Sequence, residues 1–274
     1  MPLRKAIYWS IFWIVLSLTF NVVIYYTHGP QKALEFLTGY IIEKSLSVDN
    51  LFVFLIVFTI FGVELKDQRR VLNYGIVGVI ILRGVLIILG ATLVEQFHWI
   101  LYIFGAMLVY AGYRVVYGDD ATIEPEKNVA VNLFRKIVPV KNEYKGHQFF
   151  IKEAGKVMAT PLFVCLLVVE TTDVVFAIDS IPAIFAITTD TFIVLTSNLM
   201  AVLGLRSMYF VLAEVHASFL YVKYGVGVVL AYVGLKMLIM DFYKIDTVVS
   251  LTIILSILTI SVVLSFLKNR NPSK

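Results

Sequence analysis

The chain has 274 residues, of which 59% are hydrophobic and only 15% are charged, and its formal net charge is +4. Its mean hydropathy of +0.87 is far from that of a soluble domain, so the composition excludes a soluble globular protein. The basic residues lie at the ends of apolar segments, where they set membrane topology and do not form a nucleic-acid-binding surface.

Apolar segments long enough to cross a bilayer recur along the chain. A membrane helix needs about 20 mostly apolar residues, and on this criterion we predict eight transmembrane helices. The first follows the basic MPLRK and has no cleavage site of the A-x-A kind, so we interpret it as a retained anchor. The predicted spans are 6–27, 33–63, 71–93, 97–116, 159–188, 190–213, 219–240 and 247–267.

The lysine and arginine residues are concentrated on one side of this eight-span arrangement. They lie near both termini, at 66–70 and in the hydrophilic segment 117–157, whereas the opposite side holds little beyond Lys32 and Lys244. By the positive-inside rule, both termini and the 117–157 segment are cytoplasmic. We therefore predict an integral protein of the bacterial inner membrane.

The two halves of the chain resemble each other. IEKSLSVDNLF at 42–52 aligns with TDVVFAIDSIP at 172–182, and the next span of each half contains one arginine, Arg83 or Arg206. A unit of three spans enters the membrane from the opposite side when it is repeated, which predicts an inverted 3+3 repeat of the kind found in secondary transporters. We predict an all-α polytopic membrane protein with an anchor at 1–28, repeats at 29–117 and 158–240, a cytoplasmic loop at 118–157, and a last helix and tail at 241–274. Within the loop, VNLFRKIVPV fits either a helix on the membrane surface or a solvated linker.

Five carboxylates lie well inside predicted spans. Each ionised carboxylate costs about 2.5–3.5 kcal/mol at the bilayer centre, so their presence requires compensation. Arg83 and Arg206 are candidate counter-charges for two of the five, and Lys44, which is next to Glu43 but points about 100° away on a helix, is a candidate for a third. A divalent cation, with or without a proton, would balance the remainder, and the alternative is a purely structural network of ion pairs. The five acids are Glu43, Asp49, Glu170, Asp173 and Asp179.

The donor types narrow the choice of ion. The candidate ligands are oxygen donors, and no His or Cys pair accompanies them. We interpret the single cysteine, Cys165, as a packing residue. Such a set suits Mg²⁺, Ca²⁺ or Mn²⁺ better than Zn²⁺ or Cu²⁺. We predict six metal ligands and two supporting polar residues. The ligands are Glu43, Asp49, Asn50, Glu170, Asp173 and Asp179, and the supporting residues are Ser180 and Asn198.

The spacing of the acids restricts how they can share an ion. Residues six apart on a straight helix lie about 9 Å apart along its axis, so one ion cannot bridge them. We therefore expect either local unwinding at LSVDN and AIDSIP, favoured by Pro182, or pairing of acids from different repeats. Inversion of the repeats predicts that Glu43 is level with Asp179, and that Asp49 is level with Asp173 and Glu170.

Three segments resemble hallmark segments of the TerC family, the tellurium-resistance-associated integral membrane proteins. They are EKSLSVDNLFVF at 43–54, FAIDSIPAIFAIT at 176–188 and TSNLMAVLGLRSMYF at 196–210. The resemblance implies a fold like that of the LysE superfamily and manganese efflux, the activity attributed to bacterial members. It also implies that the intramembrane acids of the family fall on the same five carboxylates.

Together these features predict a transporter that exports Mn²⁺ in exchange for H⁺ or Na⁺. The metal would be the transported ion, and no permanently bound cofactor is expected. Two alternatives stay open: a Ca²⁺ or Mg²⁺ carrier, and a membrane scaffold or insertion partner with structural buried charges. An enzyme is disfavoured, since no nucleophile–base pair or H-E-x-x-H motif occurs in the sequence.

Overall fold

Ten α-helices and one β-hairpin form the described part of the computed structural model, which comprises residues 2–117, 128–141, 146–153, 156–215 and 221–270. The helices of the first half are α1 (Leu3–His28), α2 (Pro30–Ile60), α3 (Leu65–Gln96) and α4 (Ile100–Tyr117). The linker contains α5 (Val129–Ile137) and the antiparallel strands β1 (Phe150–Glu153) and β2 (Lys156–Ala159). The second half contains α6 (Pro161–Phe185), α7 (Thr191–Leu203), α8 (Leu205–Val215), α9 (Val222–Leu238) and α10 (Thr247–Arg270).

The architecture confirms the all-α polytopic membrane class. Among the described residues, five helices are long and apolar enough to cross a bilayer, and the bent pair α7–α8 makes a sixth. α9 has only 17 residues, and α2 has 31 residues but contains Glu43, Lys44 and Asp49 near its middle. The count of eight spans and the direction of insertion stay predictions.

Local sequence explains where the helices begin and end. Gly29 has a φ of +89°, a value that favours glycine, and Pro30 follows as the first residue of α2, where its missing N–H is no loss. Asp190 caps α7 by accepting hydrogen bonds from the amides of Phe192 and Ile193.

Of the two arrangements expected for the acids, local unwinding near Asp49 and Asp179 is wrong. α2 and α6 are continuous through both positions, and Pro182 lies inside α6, only three residues before its last residue. The break occurs instead between α7 and α8, which are bent by 44°. There Lys44 Nζ donates to the carbonyl of Ala201 at 3.0 Å, so an ammonium satisfies a carbonyl near the C-terminal end of α7.

The helix pairings are those that an inverted repeat gives. α2 of the first half packs on α7 of the second half, and α6 of the second half packs on α3 of the first half. α4 packs against α9. The first half of α2 shares an apolar cluster with the second half of α6, whereas the second half of α2 shares another with the first half of α6. α2 and α6 therefore run antiparallel, and their midpoints meet between the two clusters.

The described part of the linker packs on α6. Phe134 of α5 and Phe150 of β1 lie around Phe163 of α6, with ring centroids 4.9 and 4.4 Å away. Asn128 caps α5 and also donates to Thr171 of α6 at 2.8 Å. VNLFRKI is thus helical and docked on α6, and the hairpin after it was not predicted.

Candidate functional site

A buried arginine joins two of the predicted acids between the apolar clusters. Arg83 is fully buried, and its Nε and Nη2 donate to the two carboxylate oxygens of Asp173 at 2.8 and 2.9 Å. Its Nη1 donates to Glu43, whose second oxygen accepts from Asn198 Nδ2 at 3.0 Å. We call these four residues, Glu43, Arg83, Asp173 and Asn198, the Arg83 centre.

Each member of the centre comes from a different helix. Glu43 and Asp173 occupy equivalent positions of the two repeats, on α2 and α6. The contact of Arg83 on α3 with Asp173 is matched by the contact of Asn198 on α7 with Glu43. Two carboxyl groups therefore face a single guanidinium, so the centre contains one more acidic than basic side chain.

This arrangement corrects the predicted levels of the acids. Glu43 was expected level with Asp179, and Asp49 with Asp173, but Glu43 and Asp173 bind the same guanidinium. The physical reason is that α2 and α6 cross near their midpoints, so equivalent positions of the repeats meet at the crossing.

Arg206, the other predicted counter-charge, lies elsewhere. It is half-buried and donates through Nη1 to Asn73 of α3. Within the described side chains it does not pair with any of the predicted acids. The position equivalent to Arg83 is therefore occupied by Asn198, and one arginine serves both acids of the centre.

Two further predicted ligands, Glu170 and Asp179, lie on α6 three residues before and six residues after Asp173. Glu170 is half-buried against Gly75 and Gly78 of α3, and its Oε2 is buried without a hydrogen-bond partner among the described residues. Asp179 is half-buried within electrostatic range of Arg114. The side chain of Asp49 lies outside the described residues, although its backbone belongs to α2.

Three buried polar side chains continue from the centre along α2 and α6. Asn50 and Ser180 were predicted as a ligand and a supporting residue, and Ser47 was missed. Ser47 lies four residues after Glu43 and Asn50 three further on, a spacing that places all three on one helix face. This spacing is the sequence feature from which the position of Ser47 beside the centre could have been predicted.

The described residues contain no group of three or more His, Cys, Asp or Glu side chains placed to hold a metal ion together. The geometry gives the reason: the guanidinium of Arg83 lies between the two central acids, where it takes the position of a cation.

An ion pair joins the N-terminal end of α2 to the N-terminal end of α7. Lys32 Nζ lies 2.9 Å from Asp190 and 3.1 Å from Glu35. Partial burial alone would raise the pKa of Asp190, but the hydrogen bonds from Lys32 and from the amides of Ile193 and Phe192 outweigh burial and lower that pKa. The pair therefore stabilises the fold fully above the ordinary aspartate pKa of about 3.9 and loses this effect as pH falls through the lower folded-state pKa.

Replacing Asp190 with Asn should keep the cap of α7 and remove the ion pair. Because both side chains of the pair are 32% exposed, screening limits the loss of stability at neutral pH to roughly 0.2–1 kcal/mol. Thermal unfolding in detergent at several pH values would measure it, and the two curves should converge at low pH. Lys32→Met also removes the contact with Glu35, so it should cause at least the same loss, and Asp190→Asn should add nothing to it. A difference that persisted at the lowest pH would assign the effect to the cap and not to the charge.

The fold and the site define a class: a polytopic helical membrane protein with a charged, hydrogen-bonded centre between α2, α3, α6 and α7. The chain belongs to the TerC family of integral membrane proteins, whose sequence profile matches residues 28–273. This confirms the resemblance seen in the three hallmark segments.

Relatives resemble the chain over nearly its whole length. An uncharacterized membrane protein of Myxococcus xanthus is 44% identical over 268 residues, which are 98% of this chain and 84% of the relative. A protein of Escherichia coli strain K12, named "Putative membrane-bound redox modulator Alx", is 46% identical over 273 residues, which are 97% of this chain and 85% of the relative. A membrane protein of Rickettsia bellii is 38% identical over 98% of this chain and 89% of its own length. No solved structure matches the chain significantly.

Proposed function

We propose that the protein is a transporter that exports Mn²⁺ past the Arg83 centre in exchange for H⁺ or Na⁺. The observation that carries this proposal is the excess of carboxylate over guanidinium in a site that is fully buried in the membrane core. Such a site gains stability when a cation approaches it. Its oxygen donors match the preference of Mn²⁺ and of other hard divalent ions.

The two central acids differ in how firmly Arg83 holds them. Asp173 receives two hydrogen bonds from the guanidinium in a bidentate pair, whereas Glu43 receives one, together with one from Asn198. A bidentate pair is the stronger arrangement. Glu43 is therefore the acid that releases Arg83 and binds the arriving cation, and Asp173 keeps the guanidinium in place.

Protonation of Glu43 would couple the export of Mn²⁺ to the entry of protons. A buried carboxylate can bind either a proton or a metal ion, so a proton arriving at Glu43 would displace the metal. Sodium would act in the same way as a competing cation.

The names of some relatives concern redox modulation. In this chain the single cysteine, Cys165, is buried in α6, so a redox role would not proceed through a disulfide within the chain. We propose no enzymatic activity and no direct part in tellurium resistance, because a buried anionic centre repels a tellurium oxyanion.

Reconstitution into proteoliposomes that contain a Mn²⁺-sensitive dye would test the proposal. With an imposed proton or sodium gradient, the intact protein should transport Mn²⁺, and Glu43→Gln should lower the rate at least about tenfold, since losing the central charge removes an interaction worth ~1.4 kcal/mol or more. Glu35→Gln is the matched control, because Glu35 lies on the same helix in the peripheral ion pair with Lys32.

Three outcomes separate the alternatives. Faster transport of Ca²⁺ or Mg²⁺ than of Mn²⁺ would identify the protein as a Ca²⁺ or Mg²⁺ carrier. If Glu43→Gln folded and transported at the native rate, the central acid would not bind the ion. If the intact protein moved no divalent cation and Glu43→Gln only lowered its abundance, the scaffold role would replace the transport role.

A further inference from the structure

Polar side chains follow Glu43 along one face of α2. Ser47 and Asn50 lie four and seven residues after Glu43, and Phe54 lies four residues after Asn50. At 100° per residue these four positions fall within about 60° of one another around the helix. We call Glu43, Ser47 and Asn50 the α2 stripe.

The same spacing recurs on α6. Ala177 and Ser180 lie four and seven residues after Asp173, and Ile184 lies four residues after Ser180. We call Asp173, Ala177 and Ser180 the α6 stripe. Since α2 and α6 run antiparallel, the two stripes leave the Arg83 centre in opposite directions across the membrane.

Both stripes contain buried polar atoms that the protein does not satisfy. Ser47, Asn50 and Ser180 are exposed by only 0%, 2% and 1%. The Oγ atoms of both serines and Nδ2 of Asn50 have no hydrogen-bond partner among the described residues. Such atoms are rare in folded proteins because an unsatisfied buried group is costly.

The nature of these atoms identifies the missing partner. Nδ2 of Asn50 is a donor, so a bare cation cannot satisfy it, whereas a water oxygen can. A serine hydroxyl both donates and accepts, and therefore also suits water. Water beside these groups would form the hydration shell of a cation on its way to the centre.

Each stripe ends at a buried apolar side chain. Phe54 is 3% exposed and belongs to the apolar cluster of Leu51, Phe58 and Tyr209. Ile184 is fully buried against α2: a Cβ on Gly39 would lie 3.2 Å from its Cγ2 and 2.9 Å from Oγ of Ser197. Neither stripe is therefore open to the bulk phase beyond its last polar residue.

We propose that the two stripes are half-pathways that admit water when they open and that connect the Arg83 centre to opposite faces of the membrane, with Phe54 and Ile184 as their gates. The α2 half-pathway leads toward the face at which α2 ends, which charge predicts to be cytoplasmic. The α6 half-pathway leads toward the other face. The role of these pathways in carrying a hydrated cation rests on the proposed function, but their hydration can be measured without any transport assay.

Cysteine labelling tests hydration directly, because a methanethiosulfonate reagent reacts with the thiolate, which forms in water and not in an apolar core. In a Cys165→Ala background, single cysteines would replace Ser47, Asn50 or Ser180 in the full-length protein. A charged, membrane-impermeant reagent would be added to right-side-out or inverted vesicles. The controls are Ile42→Cys and Ala183→Cys, which are equally buried on the same helices but lie off the stripes.

We expect cysteines at 47 and 50 to react from one face only and the cysteine at 180 from the opposite face only. All three should react at least about tenfold faster than the controls, which corresponds to ~1.4 kcal/mol in the free energy of access. Phe54→Ala should accelerate labelling at 50 and leave labelling at 180 unchanged. Ile184→Ala should do the reverse.

Reaction of all three cysteines from the same face, or at the rate of the controls, would overturn the proposal. It would equally fail if neither alanine variant changed the labelling rate. Labelling as expected, in a protein that moves no divalent cation in proteoliposomes, would uphold the half-pathways and refute the proposed function. Transport without labelling would refute the half-pathways alone.

Discussion

Replacing Arg83 with methionine should destabilise the protein more than any other single change at the candidate site. The substitution keeps an unbranched side chain but leaves Glu43 and Asp173 without a cation in a fully buried position. Removing one partner of a buried ion pair costs about 3–5 kcal/mol, a large part of a total stability of about 5–15 kcal/mol. The abundance of the variant in membranes and its thermal unfolding in detergent should both fall sharply.

Arg206→Met is the matched control for this prediction. Arg206 is also an intramembrane arginine of the second repeat, but it is half-buried and donates to Asn73, an exposed residue. The loss of stability should be much smaller than for Arg83→Met. Equal effects of the two substitutions would contradict the assignment of Arg83 as the compensating charge.

A rescue experiment separates charge from packing. In the combined variant Glu43→Gln, Arg83→Met, Asp173→Asn, the unpaired charges are absent, so most of the lost stability should return. If the triple variant were as unstable as Arg83→Met alone, the arginine would act mainly by filling space and not by neutralising the acids.

The sequence was sufficient to find the members of the centre. Glu43, Asp173 and Arg83 interrupt long apolar stretches, and the free-energy cost of an ionised group in lipid depends little on how the helices pack. The same argument holds for Glu170 and Asp179. An insertion cost therefore identifies candidate residues before any tertiary contact is known.

Contacts between helices could not be derived in the same way. Arg206 was aligned with Arg83 because both are the single arginine of the span after the acids. In the structure α3 is continuous, whereas its counterpart breaks at Gly204 into α7 and α8. Asn198 lies before this break, on α7, and donates to Glu43, whereas Arg206 lies after it, on α8, and donates to Asn73.

Two further residues behave differently from what their neighbours in the sequence suggest. Pro182 removes one hydrogen bond from α6, but so close to the end of the helix that the remaining turns persist. Lys44 is adjacent to Glu43 in sequence but projects toward the carbonyl of Ala201 on α7, so it stabilises a helix end and does not join the Arg83 centre. Both outcomes depend on tertiary neighbours that a single sequence does not reveal.

Gly112→Ala should weaken the fold through the pairing of α4 with α9. A Cβ at Gly112 would lie 2.5 Å from the carbonyl oxygen of Gly227 and 2.7 Å from the amide nitrogen of Ala231. Both neighbours are backbone atoms of α9, so no side-chain rotation relieves the clash. Small residues allow membrane helices to approach at backbone distance, and overpacking of such a contact costs about 1–3 kcal/mol.

Gly84→Ala is the control for this change. Gly84 lies in the middle of α3, and a Cβ there would meet no atom within 4 Å. Alanine is favoured over glycine inside a helix by about 1 kcal/mol, so the variant should unfold at the same temperature as the native protein or a higher one. Thermal unfolding in detergent measures both variants under the same conditions. If Gly112→Ala were as stable as Gly84→Ala, α4 and α9 would be able to separate without loss, and their contact would not hold the two repeats together.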